Sequence, residues 1–239
     1  MKSLIFDSST VISLAMNNML WILEPLKARY KGDFYITEEV KKEIIDTPMG
    51  IKRFKLEAIQ IQSFIDRGII KVYESKELQK EIKELDLLSN SIFIAKEKNM
   101  HLIDIGELSA MVLAKKIQAD ALIIDERTTR MLIEAPEALQ SLLKKKFHME
   151  IKMNREKLKT FQQKINPLSA IRSIELSIAA YELGLLDKKY LPKNANKEKE
   201  KDILDAVIWG MRLKGCSISD REIEELLKEE TKKTIPKQV

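Results

Sequence analysis

The chain has 239 residues and a single cysteine, Cys216, a size that suits one large domain or a domain with an appendage and a cysteine count that excludes an internal disulfide framework. No Cys/His spacing of zinc type occurs; the most apolar stretch, residues 10–23, is interrupted by Asn17 and Asn18, too short to span a bilayer, and without a signal-peptide pattern a reducing, cytoplasmic setting is expected. The formal charge of +5 is uneven, a net −2 over residues 1–143 and +7 over residues 144–239, so an acidic front is followed by a basic tail that suits a polyanion or is simply a solvated surface.

In chain order, residues 2–6 read as a short apolar strand ending at Asp7, and residues 11–23 as a helix. Phe34, Tyr35 and Ile36 predict a second strand. Thr37 caps a helix over residues 38–46, on which Val40 and Ile44 mark the buried stripe and Glu43 lies near it. After a turn at Pro48 and Gly50, a helix is predicted over residues 52–66, a third strand over 69–73, and a long helix or helix pair over 76–98. On the helix over residues 107–118, Ala110, Met111, Ala114 and Ile117 form an inward stripe, with Glu107 one turn before it. Then Ala121, Leu122, Ile123 and Ile124 read as a strand covered on both faces, with Asp125 at its carboxyl end.

Helices follow over residues 127–134 and 136–146, and residues 149–153 alternate like a half-exposed edge strand. The remainder reads as helical, with stripes at Ile171, Ile174, Ile178 and Leu185 and at Ile203, Leu204, Val207, Ile208 and Met211. A polar connector spans residues 190–201, Gly215 is a helix stop, and Ser219 to Glu222 is a capping box. The alternation predicts an α/β fold with a mostly parallel central sheet flanked by helices. We divide it into residues 1–153 and a basic helical region, residues 154–239.

Four acids stand out: Asp7 and Asp125 at strand ends, where ligands of open α/β sheets bind, and Glu43 and Glu107 on helices. Two of them have a bland reading: Asp125 could cap the helix after it, and Glu107 could be a first-turn acid. Ser9 stands where a phosphatase of the haloacid dehalogenase type needs a second Asp. Arg172 and Glu175, i and i+3 on a tail helix, suit an ion pair, although Arg172 could instead meet phosphate.

Taken together, these patterns resemble the PIN domain, a family of metal-dependent nucleases. FDSST resembles its opening D-x-S, TEEVKKEI its T-x-x-V-x-x-E helix, GELSAMVLA its (D/E)-x-x-A-x-x-x-A helix, and IIDE its terminal strand and Asp, over about residues 2–134. The resemblance implies catalytic and metal-binding roles for Asp7, Glu43, Glu107 and Asp125, with Ser9 as a supporting hydroxyl and Asp104 in reserve where many members carry Asp for Glu107. It implies Mg²⁺ or Mn²⁺ bound by hard oxygen ligands and hydrolysis of RNA as an endoribonuclease without a nucleophilic side chain. DNA is not excluded as substrate. A protein partner such as an antitoxin, or a homodimer, fits the family, and no membrane partner is expected. The alternative is a noncatalytic RNA-binding or assembly subunit on the same fold.

Overall fold

The structure, a computed structural model, describes residues 2–74, 76–192 and 197–232. From β1 (Ser3–Phe6) the chain enters α1 (Ser8–Met16), breaks at Asn17 and Asn18, and passes through a 3-10 turn at Leu20–Ile22 into α2 (Leu23–Tyr30). The single helix expected over residues 11–23 is interrupted because Asn18 takes a left-handed φ of 57°, which asparagine tolerates better than most residues. β2 (Asp33–Thr37) leads into α3 (Glu38–Lys41), which widens into a π-helical turn at Lys42–Asp46 before α4 (Lys55–Asp66) and β3 (Lys71–Tyr73).

Only the first half of the region expected as helix over residues 76–98 is α5 (Leu78–Ser89); a hairpin of β4 (Phe93–Ala95) and β5 (Lys98–Asn99) follows. Its turn places Lys96 and Glu97 at φ of 47° and 62°, a conformation normally signalled by Asn or Gly, so the residues themselves gave no hint of it. Beyond lie α6 (Ile105–Lys116), β6 (Ala121–Ile123), α7 (Arg127–Glu134), α8 (Pro136–Phe147), β7 (Ile151–Met153) and α9 (Arg155–Ile165). The tail adds β8 (Ala170–Ile171), α10 (Ser173–Glu182), α11 (Leu185–Tyr190), α12 (Lys197–Leu213) and α13 (Asp220–Lys232). Of the expected polar connector, residues 193–196 lie outside the described residues. The Ser219 capping box forms as expected, Ser219 N donating to Glu222 at 2.9 Å.

The main sheet is parallel throughout, in the order β3-β2-β1-β6-β8, and a small antiparallel sheet runs β5-β4-β7. β7 is an edge strand of the small sheet, as its alternation implied. β1 is buried along its whole length, and its alternating side chains divide the interior in two. Leu4 and Phe6 pack with Val11, Leu14, Phe34 and Ile36 on one face, and Ile5 packs with Leu108, Met111 and Leu122 on the other.

Both cores draw on the tail. Ile174, Ile178, Ile208 and Met211 join the first, while Phe161 and Ile165 join the second. Ile171, expected on a helical stripe, instead lies in β8 and pairs with Ile123 of β6. The expected division at 153/154 falls between β7 and α9, with side chains from both sides of it sharing each core. Among the described residues no helix is long and apolar enough to cross a membrane.

A chain ending at residue 153 would lose β8 and uncover both cores. Burying side chains of this size stabilises by about 1.5–3 kcal/mol each, so calorimetry of the truncated chain is expected to show no cooperative transition. A sharp transition near the full-length temperature would show instead that residues 1–153 fold independently.

Candidate active site

Asp7 leaves β1 as the N-cap of α1, extended at φ −80° and ψ 159°. The strand delivers it to the carboxyl edge of the sheet, where its own N–H continues the ladder to the Ile123 carbonyl at 2.9 Å. Its side chain is fully buried. One oxygen, Oδ2, accepts from the Ser9 amide at 3.0 Å and the Ser9 hydroxyl at 2.5 Å. The other, Oδ1, is buried with no hydrogen-bond partner, a costly arrangement for a polar atom that can ionise.

Glu43 and Glu107 come to this point through one join between α3 and α6. Thr37 caps α3 through the Val40 amide at 3.2 Å and meets the Ser109 hydroxyl of α6 at 2.6 Å, while Ser109 donates to the Gly106 carbonyl at 2.6 Å. The π turn then lays the Glu43 carboxylate against Gly106, where an added Cβ would stand 2.7 Å from Oε2 and 2.8 Å from the carboxylate carbon. A side chain there would push the Glu43 carboxylate aside. The Gly106 N–H and the Ser8 hydroxyl lie close enough to Glu43 to favour its charged form, so the starts of α6 and α1 face one carboxylate.

Glu107 is 8% exposed. Its Oε2 accepts from the Asp104 amide at 3.1 Å, as a capping-box glutamate does, and from the Thr129 hydroxyl of α7 at 2.7 Å. The first-turn role allowed by the sequence is therefore real, but it leaves the acid buried beside Asp7. Asp104 is exposed at the rim, 3.5 Å from His101, close enough for its charge to act on Glu43.

Asp125 reaches the same sheet edge, and its N–H donates to the Ser9 hydroxyl at 3.0 Å. Its carboxylate, fully buried, is occupied elsewhere: Oδ1 accepts from the Ser173 amide and Oδ2 from the Ser173 hydroxyl, both at 2.7 Å. Asp125 does not cap α7. That role belongs to Glu126, whose Oε2 accepts from the Thr129 amide at 2.8 Å. Arg172 is buried in ion pairs with Glu175 at 2.5 Å and Glu222 at 3.2 Å, which realises the pairing its spacing allowed and leaves the guanidinium little freedom for a phosphate.

Two participants escaped the sequence reading. Glu126 sits beside Asp125 in the IIDE motif and could have been weighed with it. Ser173 lies 48 residues beyond Asp125, and no local pattern connects them.

The electrostatics follow from burial. Desolvation, opposed by Ser9 and the Ser8 amide and reinforced by the charge on Glu43, pushes Asp7 up to about 6. Desolvation and then the charge on Asp7 push Glu107 up to about 8, with Glu126 adding a smaller push. Glu43 is also raised, by desolvation first and by Asp104 and Glu39 after it. Among the described residues no three His, Cys, Asp or Glu side chains already stand as a metal-holding group. The donor set nonetheless suits a hard divalent cation: Glu43 acts on Asp7 and Asp7 on Glu107, and one buried oxygen of Asp7 lacks a partner.

These shifts fix a pH dependence for the metal-free protein. Folded Glu107 keeps a proton up to about 8, whereas the unfolded chain releases it near the ordinary carboxylate value, so its stabilising effect is complete at low pH and is lost as pH rises through about 8. Asp7 acts with the same sign up to about 6. Carboxylates held below their ordinary range, such as Asp33 and Glu175, change only in more acid solution. The melting temperature should therefore fall between pH 5 and 8.5, by the equivalent of a few kcal/mol, and Glu107→Gln should flatten the fall. A wild-type melting temperature that is level or rising across that window would contradict the assignment.

The family model DUF3368, a PIN domain, matches residues 3–137, a span that runs from β1 into the first turn of α8 and holds Asp7, Glu43, Glu107, Asp125 and Glu126. No curated protein and no solved structure matches the chain. With more than half of its length matched, and with a parallel sheet that carries acids at its carboxyl edge, the chain belongs to the PIN domain family.

Proposed function

We infer that this protein is a metal-dependent nuclease that cleaves RNA as an endoribonuclease, with Mg²⁺ or Mn²⁺ as its cofactor. The observation that carries the reading is the unpartnered Oδ1 of Asp7, buried beside Glu107 and Glu43 while all three carboxylates are held above their ordinary range. Such a group attracts a cation or a proton, and PIN domains are generally nucleases. A hard divalent cation, when bound, activates water and neutralises charge on the phosphodiester.

The chain's own residues set the stage for that chemistry. Asp7, Glu43 and Glu107 would hold the cation, with Asp125 as the fourth acid in the family's pattern. Ser9 orients Asp7, Thr129 orients Glu107, and Ser8 with the Gly106 amide orients Glu43. No nucleophilic side chain is required. Since Arg172 is engaged by Glu175 and Glu222, contacts to the RNA backbone fall to the basic surface of residues 144–239, where the net charge is +7. A cytoplasmic location belongs to the same reading.

One observation favours the second reading, a noncatalytic RNA-binding or assembly subunit: both oxygens of Asp125 are engaged by Ser173. A single assay separates the two. Purified protein is expected to cleave a fluorescent single-stranded RNA in Mg²⁺ or Mn²⁺, to stop in excess chelator, and to fall to background as Asp7→Asn, with a DNA strand of the same sequence as the comparison. Binding without cleavage would favour the noncatalytic subunit, and cleavage undiminished by chelator would exclude the metal-dependent reading.

A further inference from the structure

The two consecutive acids after β6 meet different surroundings, as neighbours on an extended chain do when their side chains point to opposite sides. Asp125 points into the interior. Both its oxygens accept from Ser173, the first residue of α10, whose amide is one of the donors a helix start cannot satisfy within itself. The thiol of Cys216, from the segment between α12 and α13, adjoins the same pair: burial, and then the charge on Asp125, push it to about 12. Around this point the tail fastens to the front of the chain. Gly215 brings its backbone against Ser13 of α1, where an added Cβ would stand 2.7 Å from the Ser13 hydroxyl, and Arg130 of α7 donates to the Ser217 carbonyl at 3.2 Å.

Glu126 points the other way and is partly exposed. Its Oε2 takes the Thr129 amide at 2.8 Å, while the hydroxyl of that same Thr129 donates to Glu107 at 2.7 Å. One threonine thus holds two carboxylates, and Glu107 stands in turn within the electrostatic reach of Asp7. Oδ1 of Asp7 is fully buried without a hydrogen-bond partner, and the charge of Glu43 acts on Asp7 as that of Glu126 acts on Glu107.

We propose that the two neighbouring acids have divided the work the family pattern assigns to Asp125. Asp125 is the anchor that ties the C-terminal helices to the sheet, and Glu126 is the fourth carboxylate that, with Asp7, Glu43 and Glu107, holds the divalent cation. The proposal rests on the metal-dependent reading above. It also explains how a tail beyond the matched span can enter the core without dismantling the site: the anchor uses one acid and the cation another.

The test titrates MnCl₂ into the full chain and follows melting temperature, which requires no activity. Bound metal raises the melting temperature in proportion to the logarithm of its concentration over Kd. Glu126→Gln keeps an oxygen for the Thr129 amide, so its metal-free melting temperature should match wild type while its Mn²⁺ affinity falls tenfold or more. Asp125→Asn keeps an oxygen for the Ser173 amide, so it should fold and keep its Mn²⁺ affinity within about threefold. Asp125→Ala strands both donors of Ser173 and should melt about 5 °C or more lower without metal. Asp7→Asn serves as the variant that loses the response under either assignment.

Loss of the Mn²⁺ response in Asp125→Asn, with or without its loss in Glu126→Gln, overturns the division of roles. A full response in Glu126→Gln beside its loss in Asp7→Asn overturns it equally, leaving the metal reading intact. A wild-type chain with no Mn²⁺ response overturns the metal reading itself, and the assignment of Glu126 with it.

Discussion

A carboxylate buried at the end of a β-strand must be satisfied by something, and this fold buries two of them on neighbouring strands, Asp7 after β1 and Asp125 after β6. Their solutions differ. Asp125 is met by the amide and hydroxyl of Ser173, so its demand is filled by the protein itself. Asp7 is met by Ser9, with the Ser8 amide close by, and keeps a buried oxygen for which no hydrogen bond forms. Ser9 links the two, giving its hydroxyl hydrogen to Asp7 and accepting the Asp125 amide. The organisation of the site follows from that asymmetry: the unmet acid faces Glu43 and Glu107, and the satisfied one faces the tail.

The tail is consequently part of the fold's interior. β8 lies beside β6, Ile123 pairs with Ile171, and the Ile124 amide donates to the Ile171 carbonyl at 2.8 Å. The apolar stripes of α9, α10 and α12 fill space over both faces of the sheet. Its basic charge and its apolar stripes therefore have separate uses: the stripes close the core, and the excess of Lys and Arg is left toward solvent and any polyanion.

Much of this could be read from the residues. The apolar runs before Asp7 and Asp125 fixed two central strands and put an acid at the end of each, and the helical stripe of Ala110, Met111 and Ala114 placed Glu107 inward. Thr37 announced its cap. What stayed hidden depends on long-range contacts or on side-chain direction. The two-residue strand β8 exists because β6 offers it an edge, and no local propensity marks so short an element. The hairpin after α5 turns through Lys96 and Glu97, which carry no turn signature. The closeness of Glu43 to α6 depends on Gly106 lacking a side chain, visible only once the helices are packed. The bond of Asp125 to Ser173 spans 48 residues and could not be inferred from any spacing.

The central claim is that Asp7 organises a cation site from which Asp125 has been withdrawn. Anomalous diffraction from crystals of the full chain soaked in MnCl₂ tests it most directly, because it places the ion without reference to activity or stability. The account predicts an anomalous peak bonded to Asp7 and Glu107, with Glu126 in the same coordination sphere and Asp125 still joined to Ser173. An ion bound by Asp125 with Ser173 displaced, or one seated away from Asp7 altogether, would contradict it.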